Sequence, residues 1–148
     1  ANELNTAKLI DSMNRGDFYS SSGVTLDSVE AAASSGKQQL RIKIKPVSGV
    51  KFTTQFIGTR KDYNKEATAR LDSSGKPIRA TKVYSDDVGV VLKTVEGENP
   101  SYTLAGNELF VRAVVTSDRP HPNPSFKNQK ELYERVTHFI IRYKTKNL

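Results

Sequence analysis

The sequence predicts a mainly β protein: a β-sandwich of about seven or more short strands, with one short helix near its start and a second short helix near its end. Three observations predict it. From Val24 to Thr116 apolar residues recur at every second position; turns rich in Gly, Ser, Asn and Pro interrupt them at near-regular intervals; and helical spacing appears only over 7–14 and 128–136. At 148 residues with 36% hydrophobic content, the chain suits one globular domain, or one domain plus a short piece of another.

In chain order, Asn5 or Thr6 caps a helix over 7–14, with Leu9, Ile10 and Met13 on its apolar side and Gly16 as its left-handed stop. Phe18 and Tyr19 begin an extended piece that turns at Ser20, Ser21, Ser22 and Gly23. Hydroxyls and backbone donors in such a string could face an anion. It lacks the flanking glycine and lysine of a phosphate-binding loop, however, and reads as a plain turn. Val24, Leu26 and Val29 open the β region, and Ser34, Ser35 and Gly36 turn it. Leu40, Ile42 and Ile44 then alternate with Arg41, Lys43 and Lys45, giving one apolar and one basic face. After Pro46, Ser48 and Gly49, the residues Val50, Phe52, Thr54 and Phe56 alternate with Lys51, Thr53, Gln55 and Ile57 as far as Gly58.

A hairpin joins 69–71 to 78–84 around the Ser-Ser-Gly-Lys turn at 73–76, followed by a strand over 88–95, a loop at Gly97 and Pro100, and a short strand through Tyr102 and Leu104. The clearest strand pattern begins at Glu108. Leu109, Val111, Ala113 and Val115 fall on one face, and Phe110, Arg112, Val114 and Thr116 on the other. Because both faces carry apolar side chains, the strand belongs in the interior of a sheet. Pro120, Pro122 and Pro124 then remove backbone donors and hold the chain extended, as a rigid polyproline-like crossover arm. Leu132, Tyr133 and Val136 are spaced for a helix over 128–136, and Phe139 and Ile141 for a last strand over 138–143.

Composition narrows the function. No apolar run approaches the roughly 20 residues needed to span a bilayer, and the N-terminus lacks the basic and apolar blocks of a signal peptide. The absence of cysteine excludes disulfides, thiolate catalysis and cysteine-ligated zinc, and is compatible with secreted, periplasmic and cytoplasmic settings alike. With 23 Lys and Arg against 16 Asp and Glu, the net charge of +7 favours polyanions in general. The basic residues are spread over alternate strand positions, without an aromatic-rich ribonucleoprotein signature or recognition helix, so no specific nucleic-acid partner is expected.

Catalytic groupings are sparse. His121 and His138 lie on different predicted elements and match no metal-binding spacing. Asp118 lies near His121, but an imidazole between two prolines reads as a loop residue. Asp86 and Asp87 lack the glycine and distal glutamate of a calcium loop and read as turn residues. One reading is therefore a stand-alone β-sandwich module that binds carbohydrate or another polyanion at a cell surface. Its candidate contacts are Tyr63 and Tyr102, whose rings can stack on sugars, beside the cationic Arg60 and Lys61; packing is the alternative role for Tyr63.

Three stretches point to a different reading. ANELNTAKLIDSMNRGDFYSSSGV at 1–24 resembles the closing segment of the PHP (polymerase and histidinol phosphatase) metal-dependent phosphoesterases, a helix followed by G-x-F-Y-x-S-[ST]-G. GVKFTTQFIGTR at 49–60 and ELFVRAVVTSDRPHPNP at 108–124 are similar to the β-rich region that follows the catalytic barrel in some bacterial members. The resemblance implies a remnant of the catalytic domain at 1–30 and an accessory β-sandwich at 31–148. It also implies that hydrolysis belongs to an N-terminal barrel of the same polypeptide, whose His and Asp or Glu cluster binds divalent manganese or zinc. This sequence has no positions matching those motifs, so no catalytic or metal-binding residue carries across. Phe18 and Tyr19 are then the expected interface to the catalytic domain and are expected to pack onto the sandwich. The pattern departs at the end: such members close on a Trp-containing segment, whereas this chain has no Trp and runs LYERVTHFIIRYKTKNL over 132–148.

Overall fold

Two antiparallel sheets face one another, and a third sheet of only two strands stands beside them. The computed structural model describes residues 5–15, 18–34, 36–120 and the backbone of 135–141. These form one helix, α1 (Thr6–Arg15), and the strands β1 (Ser20–Ser21), β2 (Leu26–Ser34), β3 (Lys37–Ile44), β4 (Phe52–Arg60), β5 (Ala67–Leu71), β6 (Pro77–Tyr84), β7 (Val90–Glu96), β8 (Ser101–Thr103), β9 (Glu108–Ser117) and β10 (Arg135–Ile141). The larger sheet has the order β1-β10-β9-β4-β7, the smaller β2-β3-β8, and β5 pairs only with β6. The chain is thus the mainly β, sandwich-like fold that its alternation predicts, with a short N-terminal helix.

The core lies where the two sheets meet. β3 buries Leu40, Ile42 and Ile44 and turns Arg41 and Lys43 to solvent. Those three side chains cluster with Val24, with Phe52 and Phe56 of β4, and with Val111, Ala113 and Val115 of β9. Each large apolar side chain buried in this way contributes about 1.5–3 kcal/mol. As its two-sided pattern predicts, β9 is interior, flanked by β10 and β4.

Two irregularities break the alternation. The β4–β9 register runs evenly from Phe52 opposite Ser117 to Thr59 opposite Phe110, then slips so that Arg60 opposes Glu108. Leu109 is therefore an extra residue: it turns outward and is 43% exposed, while Glu108 takes the inward place. This corrects the expectation that Leu109 shares the core face of Val111. A second slip places Lys93 opposite Phe56 and Val91 opposite Ile57, leaving Leu92 as the extra residue on β7. Leu92 leans over Gly58, where an added Cβ would lie 2.8 Å from Leu92 Cδ1 and 2.6 Å from the Phe110 carbonyl oxygen. Glycine is required there by close approach of backbone.

The β5–β6 hairpin turns through Asp72, whose Oδ1 accepts from Ser74 Oγ at 2.7 Å and from the N–H groups of Ser74 and Lys76 at 2.9 Å. Those bonds, the Ser74 hydroxyl first, hold the Asp72 carboxyl below the usual carboxylate range. Gly75 completes the turn with φ of 79°.

At the C-terminal end, Arg135 and Val136 open β10 rather than closing a helix over 128–136, and the last strand starts earlier than the expected 138. β9 offers these residues a ladder of backbone partners, and tertiary pairing overrides a weak helical spacing. The rest of that expected helix, the arm beyond Pro120 with His121, and positions past 141 lie outside the described residues.

Candidate functional site

One end of β4 and the start of β9 form a polar corner. Lys61 N–H donates to the Asn107 carbonyl at 2.8 Å and its Nζ to the Gly106 carbonyl at 3.3 Å, which ties the turn after β4 to the loop before β9. Arg60 and Lys61 are exposed and Tyr63 is half-buried. Tyr102 of β8 lies at the same corner, but its ring stacks on Phe56 at 5.5 Å between centroids, and its hydroxyl donates inward to Glu108 Oε1 at 2.6 Å. Of the four expected ligand contacts, Arg60 and Lys61 are exposed, with the Lys61 ammonium bonded to the Gly106 carbonyl, Tyr63 is half-buried, and the Tyr102 hydroxyl is engaged with protein.

Glu108 was not singled out by its sequence context, yet it organises this corner. It is 4% exposed. Besides the Tyr102 hydroxyl, its carboxylate accepts from Ala105 N–H and Gly106 N–H, each at 2.9 Å. Burial by itself would push the Glu108 carboxyl up, but the bonds from Tyr102, Ala105 and Gly106 outweigh it and hold the group below its usual range. Burial, then the bond to Glu108 and its negative charge, push the Tyr102 phenol up to about 12, against a small opposing pull from Arg60. Near neutral pH one group stays ionised and the other protonated, so neither is poised for proton transfer. The pair acts as a latch between β8 and β9.

The opposite end of the same strands opens a cleft of about 900 Å³, lined by 50–53, 96–99 and 116–118. Its frame is fixed by backbone bonds: Asp118 N–H to the Lys51 carbonyl at 3.1 Å, Gly97 N–H to the Phe52 carbonyl at 2.9 Å, and Ile44 N–H to the Glu98 carbonyl at 2.8 Å. Asp118 Oδ1 also accepts from Lys51 N–H at 2.9 Å. Sequence reading found none of this, because the cleft draws on three distant segments.

The third feature is the N-terminal segment. Asn5 caps α1, its Oδ1 accepting from Ala7 N–H at 2.9 Å. The helix buries none of its residues, and Leu9, Ile10 and Met13 are each about half exposed or more. Phe18 is 56% and Tyr19 38% exposed, so Phe18 does not pack onto the sandwich as expected. Leu26 N–H donates to the Tyr19 hydroxyl at 3.5 Å. Ser21, Ser22 and Gly23 follow in a bent turn, where Ser21 Oγ accepts from Gly23 N–H at 3.0 Å and donates to the Val24 carbonyl. The Ser21 hydroxyl is thereby used in shaping the chain. β2 runs through position 30, the domain boundary implied by the resemblance.

Among the described residues no three His, Cys, Asp or Glu side chains stand close enough to share a metal ion. No helix among them is long and apolar enough to cross a membrane. No protein-family profile matches the sequence, and neither a curated protein nor a solved structure matches the chain.

Proposed function

We propose that this chain is a non-catalytic accessory domain, C-terminal to the catalytic barrel of a PHP-like metal-dependent phosphoesterase. Hydrolysis then belongs to the barrel, with its manganese or zinc, and the β-sandwich serves as a scaffold or positions substrate. The observation that carries this reading is the exposed apolar side of α1, where Leu9, Ile10 and Met13 find no burial in the sandwich, with Phe18 and Tyr19 close behind. A ten-residue helix is marginal in water by itself, and its stability comes from whatever covers its apolar face. The resemblance of 1–24 to a barrel's closing segment supplies that cover: the barrel of the same polypeptide.

The test is phosphodiesterase and phosphomonoesterase activity with manganese or zinc, measured for the 148-residue chain beside a polypeptide extended N-terminally through the natural gene. Activity confined to the longer polypeptide is the expected outcome. Metal-dependent activity of the short chain overturns the reading. In the longer polypeptide, Leu9→Ser with Met13→Ser should speed hydrogen exchange across α1 while leaving the sandwich protected.

A second reading, a stand-alone module for a cell-surface polyanion, is favoured by one observation, the exposure of the consecutive cationic residues Arg60 and Lys61. With the Tyr102 hydroxyl turned inward, an anion fits that corner better than a neutral sugar does. Heparin binding that survives moderate salt and is lost in Arg60→Ala with Lys61→Ala supports this alternative.

A further inference from the structure

We infer that the β5–β6 hairpin is a nucleic-acid arm, a two-stranded ribbon that enters the major groove of duplex DNA. The inference is independent of the proposed accessory role. The hairpin pairs with no other strand of the sandwich. All five residues of β5 are exposed, so both faces of that strand meet solvent, and of the described β6 side chains only Ile78 is half-buried. The base of the hairpin is pinned: Asn64 N–H donates to Asp87 Oδ2 at 3.1 Å, and Ser85 Oγ donates to the Asn64 carbonyl at 2.8 Å. A two-stranded ribbon in water is marginal by itself, so a surface that receives it also stabilises it.

Two features of the ribbon identify what receives it. Four cations lie along it, Arg70 on β5, Lys76 in the turn, and Arg79 and Lys82 on β6, and none forms an ion pair among the described residues. Asp72, the one acidic residue between 67 and 84, is occupied by Ser74 and the turn N–H groups. Cations on both strands suit phosphates on both walls of a groove. The second feature is apolar: Leu71, Val83 and Tyr84 are each more than half exposed. A sulfated sugar chain offers such side chains no apolar surface, whereas every thymine places its C5-methyl group in the major groove. Dimensions agree. Strands about 4.8 Å apart make a ribbon that a groove about 12 Å wide admits, and the eight residues of β6 run about as far as eight base-pair steps of roughly 3.4 Å. This mode needs no recognition helix and no fixed base sequence, since the cations hold phosphates and the apolar side chains favour thymine.

The test is fluorescence anisotropy of the 148-residue protein with an adenine–thymine duplex of about 12 base pairs, beside the same duplex carrying uracil in place of thymine. The uracil duplex lacks only the methyl groups, and its affinity should be about two- to fivefold weaker. Affinity should fall with salt at a logarithmic slope of about 3–4, and Arg70→Ala with Arg79→Ala and Lys82→Ala should reduce that slope by about 2–3. Leu71→Ser with Val83→Ser should keep the slope and abolish the preference for thymine. In isotopically labelled protein, amide shifts on adding the duplex should centre on 67–84, and unchanged amide spectra of β3, β4 and β9 show that each variant keeps its sandwich. Equal affinity for the two duplexes, an undiminished slope in the triple variant, or amide shifts centred on Arg60 and Lys61 overturn the proposal and leave a polyanion held by charge alone.

Discussion

Replacing Tyr102 with Phe removes one hydroxyl and leaves the ring stacked on Phe56. The bond lost is a 2.6 Å donation to a carboxylate that is almost wholly buried. A hydrogen bond to a charged group contributes about 1.5–3 kcal/mol, and Glu108 keeps its two backbone donors, so a loss near the low end, about 1.5–2 kcal/mol, is expected. For a chain of this size that corresponds to a fall of roughly 4–6 °C in Tm. The pH dependence separates this bond from general packing. The Tyr102 phenol is raised from 10.0 to about 12, so its stabilisation is fully present below pH 10 and is lost as pH rises towards 12. Undiscounted, that interval corresponds to roughly 2–3 kcal/mol; screening of a half-buried group reduces it to about 1–2 kcal/mol. Glu108 has the opposite sign. Its carboxyl is held below the ordinary 4.5, so its contribution is present above that pH and lost as pH falls through its lower folded value. Urea denaturation at pH 7, 10 and 11.5 should show the wild type losing stability over the alkaline interval and Tyr102→Phe losing much less. Equal alkaline losses in the two proteins, or a pH 7 difference below about 0.5 kcal/mol, refute the latch.

Three further outcomes are expected. Gly58→Ala places a methyl group 2.6 Å from the Phe110 carbonyl oxygen and should cost about 1–3 kcal/mol by chemical denaturation; Leu92→Ala should not rescue it, because the backbone contact remains. Thr54 is fully buried and its Oγ1 has no partner among the described residues, so Thr54→Val should be neutral or stabilise by about 1 kcal/mol, and a clear loss of stability would show that the hydroxyl is bonded. Asp72→Ala removes the acceptor that shapes the exposed hairpin turn, so amide exchange at Ser74 and Lys76 should accelerate without a change in global unfolding, and acidification should have the same effect on the parent protein as the lowered Asp72 carboxyl takes up its proton.

The alternation at Leu40, Ile42 and Ile44 and at Val111, Ala113 and Val115 was legible because a strand with one buried face repeats every two residues. The 72–76 turn was legible too, since Asp, Ser and Gly carry their own hydrogen bonds and backbone freedom with them. A bulge leaves no such mark. Leu109 reads as one more core residue, and only its register against Arg60 reveals that parity changes there and sends Glu108 inward. Tyr102 reads as an exposed aromatic until Glu108 is known to lie beneath it, so the latch was invisible for the same reason. Ser117 has the composition of a strand end, and its place in a cleft depends on segments far away in sequence. At 135–136 the local spacing suggested helix, and the neighbouring strand prevailed.

The pairing of β1 with β10 has a consequence for the order of events during synthesis. Ser20 lies opposite Thr137 and Ser21 opposite Val136, so the piece of chain that follows α1 and Phe18 finds its ladder partner only after nearly the whole sequence has been made. On the ribosome, the core strands β3, β4 and β9 can meet well before that. Closing so long a loop is slow, so this edge of the larger sheet is completed last, by the arrival of β10.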